Sequence, residues 1–336
     1  MRVLHISHHS GCFKDQDYIL KKLGFTVSNL RFPRGVYQVT AEVASAFWQQ
    51  YGEYINSHNY VVVSDTSAIA RCIFQHMEEF KSKLVVWICN RFDYAMWNEA
   101  EFYRLFDQYK NHDKVRVVAY TLWEKIWCLK QGIDVMSCPV IVPLGKTEAS
   151  FEELYPELAE HNTSWKEGYT GNSCPEVFVP RYTNDNYYFD MLSFIEGKGI
   201  SAHRGPFRGA VDITEFKCCV LSPDAMSKLF CFETIHNNIP VVLPSPKRLL
   251  ELCAGAYLFN VTGQGGAHLM TEDLTIFCEW YREDFKPIRY YYDTLDELPD
   301  VINSVNKEEL SDRFEVISKK HERVVLEQWR KLYATF

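Results

Sequence analysis

The amino-acid sequence predicts an α/β protein built from two parallel-sheet halves in tandem. Three observations carry that expectation. Short Val- and Ile-rich apolar runs alternate with longer amphipathic stretches, the pattern of strands covered by helices on both faces. The alternation stops between Thr147 and Cys174, in a polar stretch of little periodicity, and then resumes. The chain has 336 residues, about twice an ordinary domain of roughly 150 residues.

In the first half, strands are expected at Val3–Ile6, Phe25–Leu30, Tyr60–Val63, Leu84–Ile88 and Val115–Ala119, with a sixth at Val140–Val142. Helical periodicity fills the gaps: a stretch near Asp15–Leu23, then Val43–Asn56, Ser67–Phe80, Asn98–Tyr109 and Leu122–Gln131. In the second half, the expected strands are Glu176–Val179, Lys217–Leu221, Ile239–Leu243 and Ala256–Phe259. Helices are expected at Asn186–Glu196, Met226–Asn238, Lys247–Cys253, Leu295–Val305 and Glu308–Tyr333. This reading gives an N-terminal Rossmann-like domain over 1–165 and a C-terminal one over 166–336, with the terminal helix a candidate to cross back.

Composition narrows the function. A net charge of −8 disfavours a generic partnership with nucleic acid, which needs Lys and Arg in excess to neutralise phosphate. The 11 cysteines are scattered without a Cys-x-x-Cys pair, so a reducing, cytoplasmic compartment is expected rather than a disulfide framework. The amino terminus lacks the apolar core of a signal peptide, and no apolar run is long enough for a transmembrane segment. Open parallel sheets bind ligands beyond the carboxyl ends of their strands, so the loops there are where chemistry is sought.

The most informative stretch runs from Asp224 to Ser245. A strand ending near Leu221 leads through Ser222 and Pro223 to a helix whose first turn is expected to hold Ser227 and Lys228. Backbone amides at a helix start, with a lysine beside them, suit phosphate. Glu233 lies one and a half turns on, where a carboxylate accepts ribose hydroxyls. Asn237 and Asn238 end the helix, and Pro240-Val241-Val242 opens the next strand.

Glu233 followed seven residues later by Pro240-Val241-Val242 resembles the nucleotide-sugar segment of GT-B glycosyltransferases, in the manner of families 4 and 1. The resemblance covers the C-terminal half at motif level and the N-terminal half in layout. It implies two Rossmann-like domains facing across a cleft. It also implies a nucleoside-diphosphate sugar held by Glu233, a carbohydrate acceptor on the N-terminal domain, and no obligatory metal or other cofactor. Two positions depart from the pattern: Asn238 stands where the family usually has glycine, and Ala225 where many retaining members carry a second glutamate. An epimerase of nucleotide sugars on the same architecture, and a non-catalytic carbohydrate-binding protein, are the alternatives.

The remaining candidates follow expected strands. Arg181 and Arg208 are candidate diphosphate ligands, because a guanidinium offers two parallel hydrogen bonds. His8 and His9, in Ser7-His8-His9-Ser10-Gly11, are candidate general bases, with Gly11 toward the acceptor. Asp65 and Asp93 are candidate bases as well, although Asp65 before Thr66-Ser67 equally reads as a helix cap. Arg91 and Tyr94 share the Asp93 loop and are candidate acceptor contacts. Gly263-Gln264-Gly265-Gly266 is no dinucleotide fingerprint, since the third glycine of that pattern is missing.

Overall fold

The computed structural model describes residues 1–33, 35–97, 99–146, 175–180, 190–205, 207, 209–223, 228–254 and 278–336. The chain divides into two compact units. Unit 1 comprises Met1–Glu148 with Glu322–Phe336, and unit 2 comprises Ala149–His321. Among the described residues each unit carries a five-stranded parallel sheet, as the alternating pattern requires. This is the α/β class expected of a chain with GT-B-type halves.

In unit 1 the strands are β1 (Arg2–Ser7), β2 (Thr26–Arg31), β3 (Tyr60–Val63), β4 (Lys83–Ile88) and β5 (Val115–Ala119), in the order β2-β1-β3-β4-β5. Registers such as Ile6 opposite Leu30 and Val63, and Val63 opposite Val86, align the carboxyl ends of neighbouring strands. Val61–Val63 and Leu84–Val86 have no solvent exposure, because helices cover both faces of the sheet. Those helices are α1 (Ser10–Lys22), α2 (Ala41–Asn56), α3 (Arg71–Phe74), α4 (Ala100–Tyr109) and α5 (Leu122–Lys130).

Unit 2 repeats the topology. Its strands are β6 (Val177–Phe178), β7 (Ala202–His203), β8 (Cys218–Val220), β9 (Val241–Pro244) and β10 (Arg289–Tyr292). They lie in the order β7-β6-β8-β9-β10, the same permutation as in unit 1. Its helices are α6 (Met191–Gly197), α7 (Leu229–His236), α8 (Pro246–Ala254) and α9 (Leu298–Ser304).

The long helix α10 (Lys307–Ala334) begins in unit 2 and ends in unit 1. Its buried positions Leu310, Phe314, His321, Val325 and Trp329 recur at helical spacing. In unit 2, His321 stacks on Phe232 at 5.4 Å. In unit 1, Trp329 meets Trp87 edge-on at 5.6 Å. No helix of the described residues is long and apolar enough to cross a membrane.

Several elements differ from expectation, each for a physical reason. Helix α1 starts five residues earlier, because His9 caps it. The helix expected over Ser67–Phe80 is a 3-10 turn (Ser67–Ala70) and the single turn α3. Residues 67–74 are all buried, and Arg71 spends its guanidinium on Val39 O and Glu99, so packing overrides propensity. Val140–Val142 forms one bridge to Ala119 rather than a strand; Pro139 and Pro143 flank it, and proline cannot extend a ladder.

Two strands escaped the pattern. Strand β7 is two residues long. Strand β10 reads Arg-Tyr-Tyr-Tyr, and its buried Arg289 donates to Thr234 Oγ1 (3.1 Å) and Cys231 O (2.9 Å). The expected strand Ala256–Phe259, the polar stretch from Thr147 and the glycines at 263–266 lie outside the described residues.

Trp329 is fully buried, so Trp329→Ala is expected to cost about 3–5 kcal/mol in urea unfolding of unit 1. Val316→Ala, on the same helix at 68% exposure, should change stability by no more than about 0.5 kcal/mol.

Candidate functional site

A parallel sheet of this order has its switch point between β1 and β3, where the connections leave in opposite directions and the carboxyl-end loops part. In unit 1 the loops at that point carry His8, His9, Ser64 and Asp65.

His8 is buried edge-on against Phe32 (5.0 Å) and beside Tyr37 (4.9 Å). Burial, and then the charge of Arg31, lower its pKa to about 4, so it is neutral near pH 7. Arg31, at the end of β2, donates to His8 O (2.8 Å) and Ser10 Oγ (3.0 Å) and so fixes the loop. His9 is exposed and is the N-cap of α1; its Nδ1 accepts the Gly11 N–H at 3.1 Å. Gly11 therefore lies in the first helical turn, with its backbone donor engaged. The two adjacent histidines thus play different parts, one packed and one capping.

Asp65 does not cap the turn that follows it. That position falls to Thr66, whose side chain makes no capping bond. Asp65 has φ 68°, a left-handed conformation that costs a residue other than glycine about 1–3 kcal/mol. Its side chain is half-buried and makes no hydrogen bond to a described residue. Burial raises its pKa to about 7; the neighbouring Cys12 adds to the rise and His9 opposes it. A carboxyl group that is partly protonated near neutrality can both take and give a proton.

Cys12, in the first turn of α1, is buried near Cys89, His9 and Ser64. Cys89 is the first residue beyond β4; its thiol donates to Trp87 O at 3.5 Å and meets the Asp65 backbone. The influence of Cys89 holds the Cys12 thiol well below the ordinary range, while burial holds Cys89 above it. Ser64 bonds His5 Nε2 at 2.7 Å. His5 is fully buried, and that burial lowers its pKa to about 3.

The loop after β4 is organised by Asp93. Its two oxygens accept Trp127 Nε1 (2.8 Å) and Tyr103 Oη (2.7 Å), bracing the loop on α5 and α4. Both lone-pair sites that face the protein are thus occupied, and Asp93 is not gathered with His9 and Asp65. Arg91 is half-buried and folds onto Asn90 Oδ1 (3.2 Å). Tyr94 stands between Tyr37 (5.8 Å) and Trp97 (6.1 Å). With His8 these rings form an aromatic string in which Tyr37 and Trp97 are exposed.

Asp15-Gln16-Asp17 spells an Asp-x-Asp sequence, but its carboxylates serve the fold. Asp15 accepts Leu144 N (2.9 Å) and Gly145 N (2.6 Å), and Asp17 accepts Asn29 Nδ2 (3.0 Å). No cluster of metal-ligating side chains occurs among the described residues.

In unit 2 the equivalent switch point lies between β6 and β8. Strand β8 leads to Ser222, which is fully buried and whose Oγ has no hydrogen-bond partner among the described residues. Helix α7 begins at Leu229 rather than Met226, so Lys228 is its N-cap and not part of its first turn; the Lys228 side chain makes no capping bond. The helix ends at Asn237, and Asn238 takes the left-handed conformation (φ 54°), which asparagine tolerates at a helix end.

Glu233 is half-buried on α7, and Gly209 faces it. A Cβ on Gly209 would lie 3.9 Å from both Glu233 oxygens, and the glycine has φ 98°. Phe207 pins this loop against Phe230 of α7 and Phe178 of β6, each at 5.2 Å. The sequence proposed the Arg208 loop and Glu233 separately, and the fold brings the loop's last glycine onto the acid. Arg181, Arg208 and Ser227 lie outside the described residues.

No protein-family profile matches the chain, and no curated protein sequence matches it. Solved structures similar to it include a UDP-N-acetylglucosamine 2-epimerase from Rickettsia bellii, with 8% identity and a TM-score of 0.45 over 97% of this chain and 96% of that one. The S. aureus MnaA–UDP co-structure is similar at 12% identity and a TM-score of 0.42, covering 88% and 94% of the two chains. The UDP-GlcNAc 2-epimerase from Methanocaldococcus jannaschii is similar at 12% identity and a TM-score of 0.41, covering 84% and 94%. Likeness at this level reaches neither individual residues nor chemistry.

Sequence reading missed Cys12, Cys89, Tyr37 and Gly209. Their only signal was position: Cys89 and Gly209 sit in loops after strands, and Cys12 and Tyr37 lie a few residues beyond one. Single cysteines and tyrosines there look like core residues.

The Asp65 pKa gives a pH signature. Its folded value is raised from 3.8 to about 7, so its contribution to stability is full below the unfolded value and is lost as pH rises through 7. Buried Glu279, also raised to about 7, acts in the same direction, while neutral His5 and His8 act in the opposite one. The difference between proteins isolates Asp65: the Tm of Asp65→Asn, relative to the unsubstituted protein, should climb between pH 4 and 8. A flat difference would place the Asp65 pKa in the ordinary carboxyl range.

Proposed function

We propose that the protein is an enzyme acting on a nucleoside-diphosphate sugar, with nucleotide binding in unit 2 and acid–base chemistry in unit 1. The observation that carries this reading is the Glu233 carboxylate set against the Gly209 loop beside the start of α7. A carboxylate offers two acceptors to the two neighbouring hydroxyls of a ribose. The facing loop has no Cβ at Gly209 to fill that space. The amino end of α7, with Lys228 beside it, suits the diphosphate and the charge that develops on it as the sugar leaves. Ser222, Ser227, Arg181 and Arg208 complete the nucleotide-sugar assignment as donors to phosphate. The reading gives the leaving-group charge to these groups and requires no metal ion.

In the glycosyltransferase form of the reading, unit 1 binds a carbohydrate acceptor. Tyr37, Tyr94 and Trp97 present ring faces suited to a sugar, and Arg91 borders them. Asp65, with His9 beside it, removes the proton from the acceptor hydroxyl as the bond from the anomeric carbon to the diphosphate breaks. His8, held neutral and packed, positions the loop. Asp93 positions the acceptor loop rather than touching the reacting atoms.

Epimerisation of a nucleotide sugar is the second reading, and the same residue favours it. A carboxyl group with a pKa of about 7 can withdraw a proton from a sugar carbon and return one, which transfer does not require. Incubation in deuterated water without an acceptor separates the two. Epimerisation places deuterium in recovered nucleotide sugar, and transfer leaves it unlabelled.

Two outcomes test the roles. Glu233→Ala should weaken binding of UDP or another nucleoside diphosphate about tenfold or more by calorimetry; unchanged affinity removes Glu233 from the site. Asp65→Asn should lower kcat about 10²- to 10⁴-fold while leaving nucleotide affinity unchanged. An unchanged kcat removes Asp65 from the chemistry, and tight nucleotide binding with no turnover of any donor points to the non-catalytic alternative.

A further inference from the structure

We propose that His5 is a positioning residue, which through Ser64 holds Asp65 in its left-handed conformation at the carboxyl edge of the unit 1 sheet. The inference deepens the functional reading and rests on its assignment of acid–base chemistry to Asp65.

Asp65 sits where an aspartate does not settle unaided. Its φ is 68°, and a short polar side chain offsets the cost of that conformation when it bonds locally. The Asp65 side chain makes no such bond to a described residue. Asn238 takes the same conformation at the end of α7, where it is common, whereas Asp65 comes directly after the end of β3 and Ser64. The restraint on Asp65 therefore comes from its neighbours, since such conformations persist where the surroundings over-determine them.

Ser64 supplies that restraint. Its backbone N–H donates to Ile6 O at 3.2 Å, which carries the β1–β3 pairing one residue past the strand end. Its hydroxyl shares a 2.7 Å hydrogen bond with His5 Nε2. Neither residue has any solvent exposure, so solvent does not compete for either atom. Backbone and side chain thus tie Ser64 to β1 together, and the chain turns at the residue that follows. The other hydroxyls of this loop take no part. Thr66 Oγ1 and Ser67 Oγ are buried without a partner among the described residues.

His5 is itself held from several directions. It lies within β1, in register with Asn29 of β2 and Val62 of β3. Its ring meets Phe13 of α1 edge-on at 4.8 Å. Nδ1 has no partner among the described residues, so the hydrogen bonding of this ring is directed at Ser64. Packing alone does not account for a histidine here, because an aliphatic side chain fills a strand interior without burying polar atoms. Cys89, which lies near Asp65, is the competing restraint.

The test is a set of crystal structures of the full-length protein carrying Ser64→Ala, His5→Leu, His5→Gln or Cys89→Ala, joined to carbon NMR titration of the Asp65 carboxyl group. No substrate is needed. Failure here is therefore distinct from failure of the Asp65 assignment, which the turnover of Asp65→Asn tests. Residue 65 should leave the left-handed region in Ser64→Ala and in His5→Leu. It should stay there in Cys89→Ala, and in His5→Gln, whose amide still offers a donor and an acceptor to Ser64. The midpoint of the Asp65 titration should fall by about one pH unit or more in Ser64→Ala as the side chain gains solvent, and hold its value in His5→Gln. A merely structural role would lower Tm and leave that midpoint alone. The proposal is overturned if residue 65 keeps a positive φ in Ser64→Ala, or if the midpoint there does not move. It is also overturned if His5→Gln releases residue 65 as His5→Leu does, or if Cys89→Ala releases it. Ser64→Ala removes one oxygen atom, so the test does not depend on the folding of His5→Leu.

Discussion

A parallel sheet covered on both faces leaves polar chemistry one natural place, beyond the carboxyl ends of its strands. Val61–Val63 and Leu84–Val86 are fully buried, and their backbone groups are spent in the ladder. Strand and helix faces are therefore committed to packing. The polar candidates follow the strands: His9 after β1, Asp65 after β3, Cys89 after β4, and Ser222 and Lys228 after β8. Both sheets share one strand permutation, so each unit has a switch point of the same kind.

The two edges differ in chemistry. In unit 1, burial raises the pKa of Asp65 to about 7, and Cys12 and the exposed, capping His9 lie near it. The backbone strain at Asp65 is consistent with a position held for function, since a left-handed aspartate is unfavourable on its own account. In unit 2, the edge carries a different set of groups. A short helix starts without a side-chain cap from Lys228, a glycine loop is pinned by Phe207, and a carboxylate faces that loop. The proposed division of labour follows from this contrast.

Much of the fold was legible because periodicity reports burial. The runs at Tyr60–Val63 and Val115–Ala119 coincide with β3 and β5, since an apolar segment bounded by polar residues has little else to become. Strand β10 was illegible because it opens on a buried arginine bonded to Thr234 and Cys231, a partnership across 55 or more residues that no local pattern reveals. The Ser67–Phe80 stretch has helical periodicity, but its buried Arg71 ties it to Val39 and Glu99. For the candidate site, loop position pointed to His9 and Asp65, and the spacing from Glu233 to Pro240-Val241-Val242 pointed to Glu233. Loop position could not separate Asp65 from Asp93, because only folding shows that Trp127 and Tyr103 occupy the latter.

The central claim is that the edge formed by Gly209, Lys228 and Glu233 receives a nucleoside diphosphate. Amide hydrogen exchange with and without saturating UDP, or another nucleoside diphosphate, addresses it directly. The account predicts slower exchange over 209–213 and 229–233, with β1 to β5 unchanged. Slowing confined to unit 1, or no slowing with any nucleoside diphosphate, would contradict it.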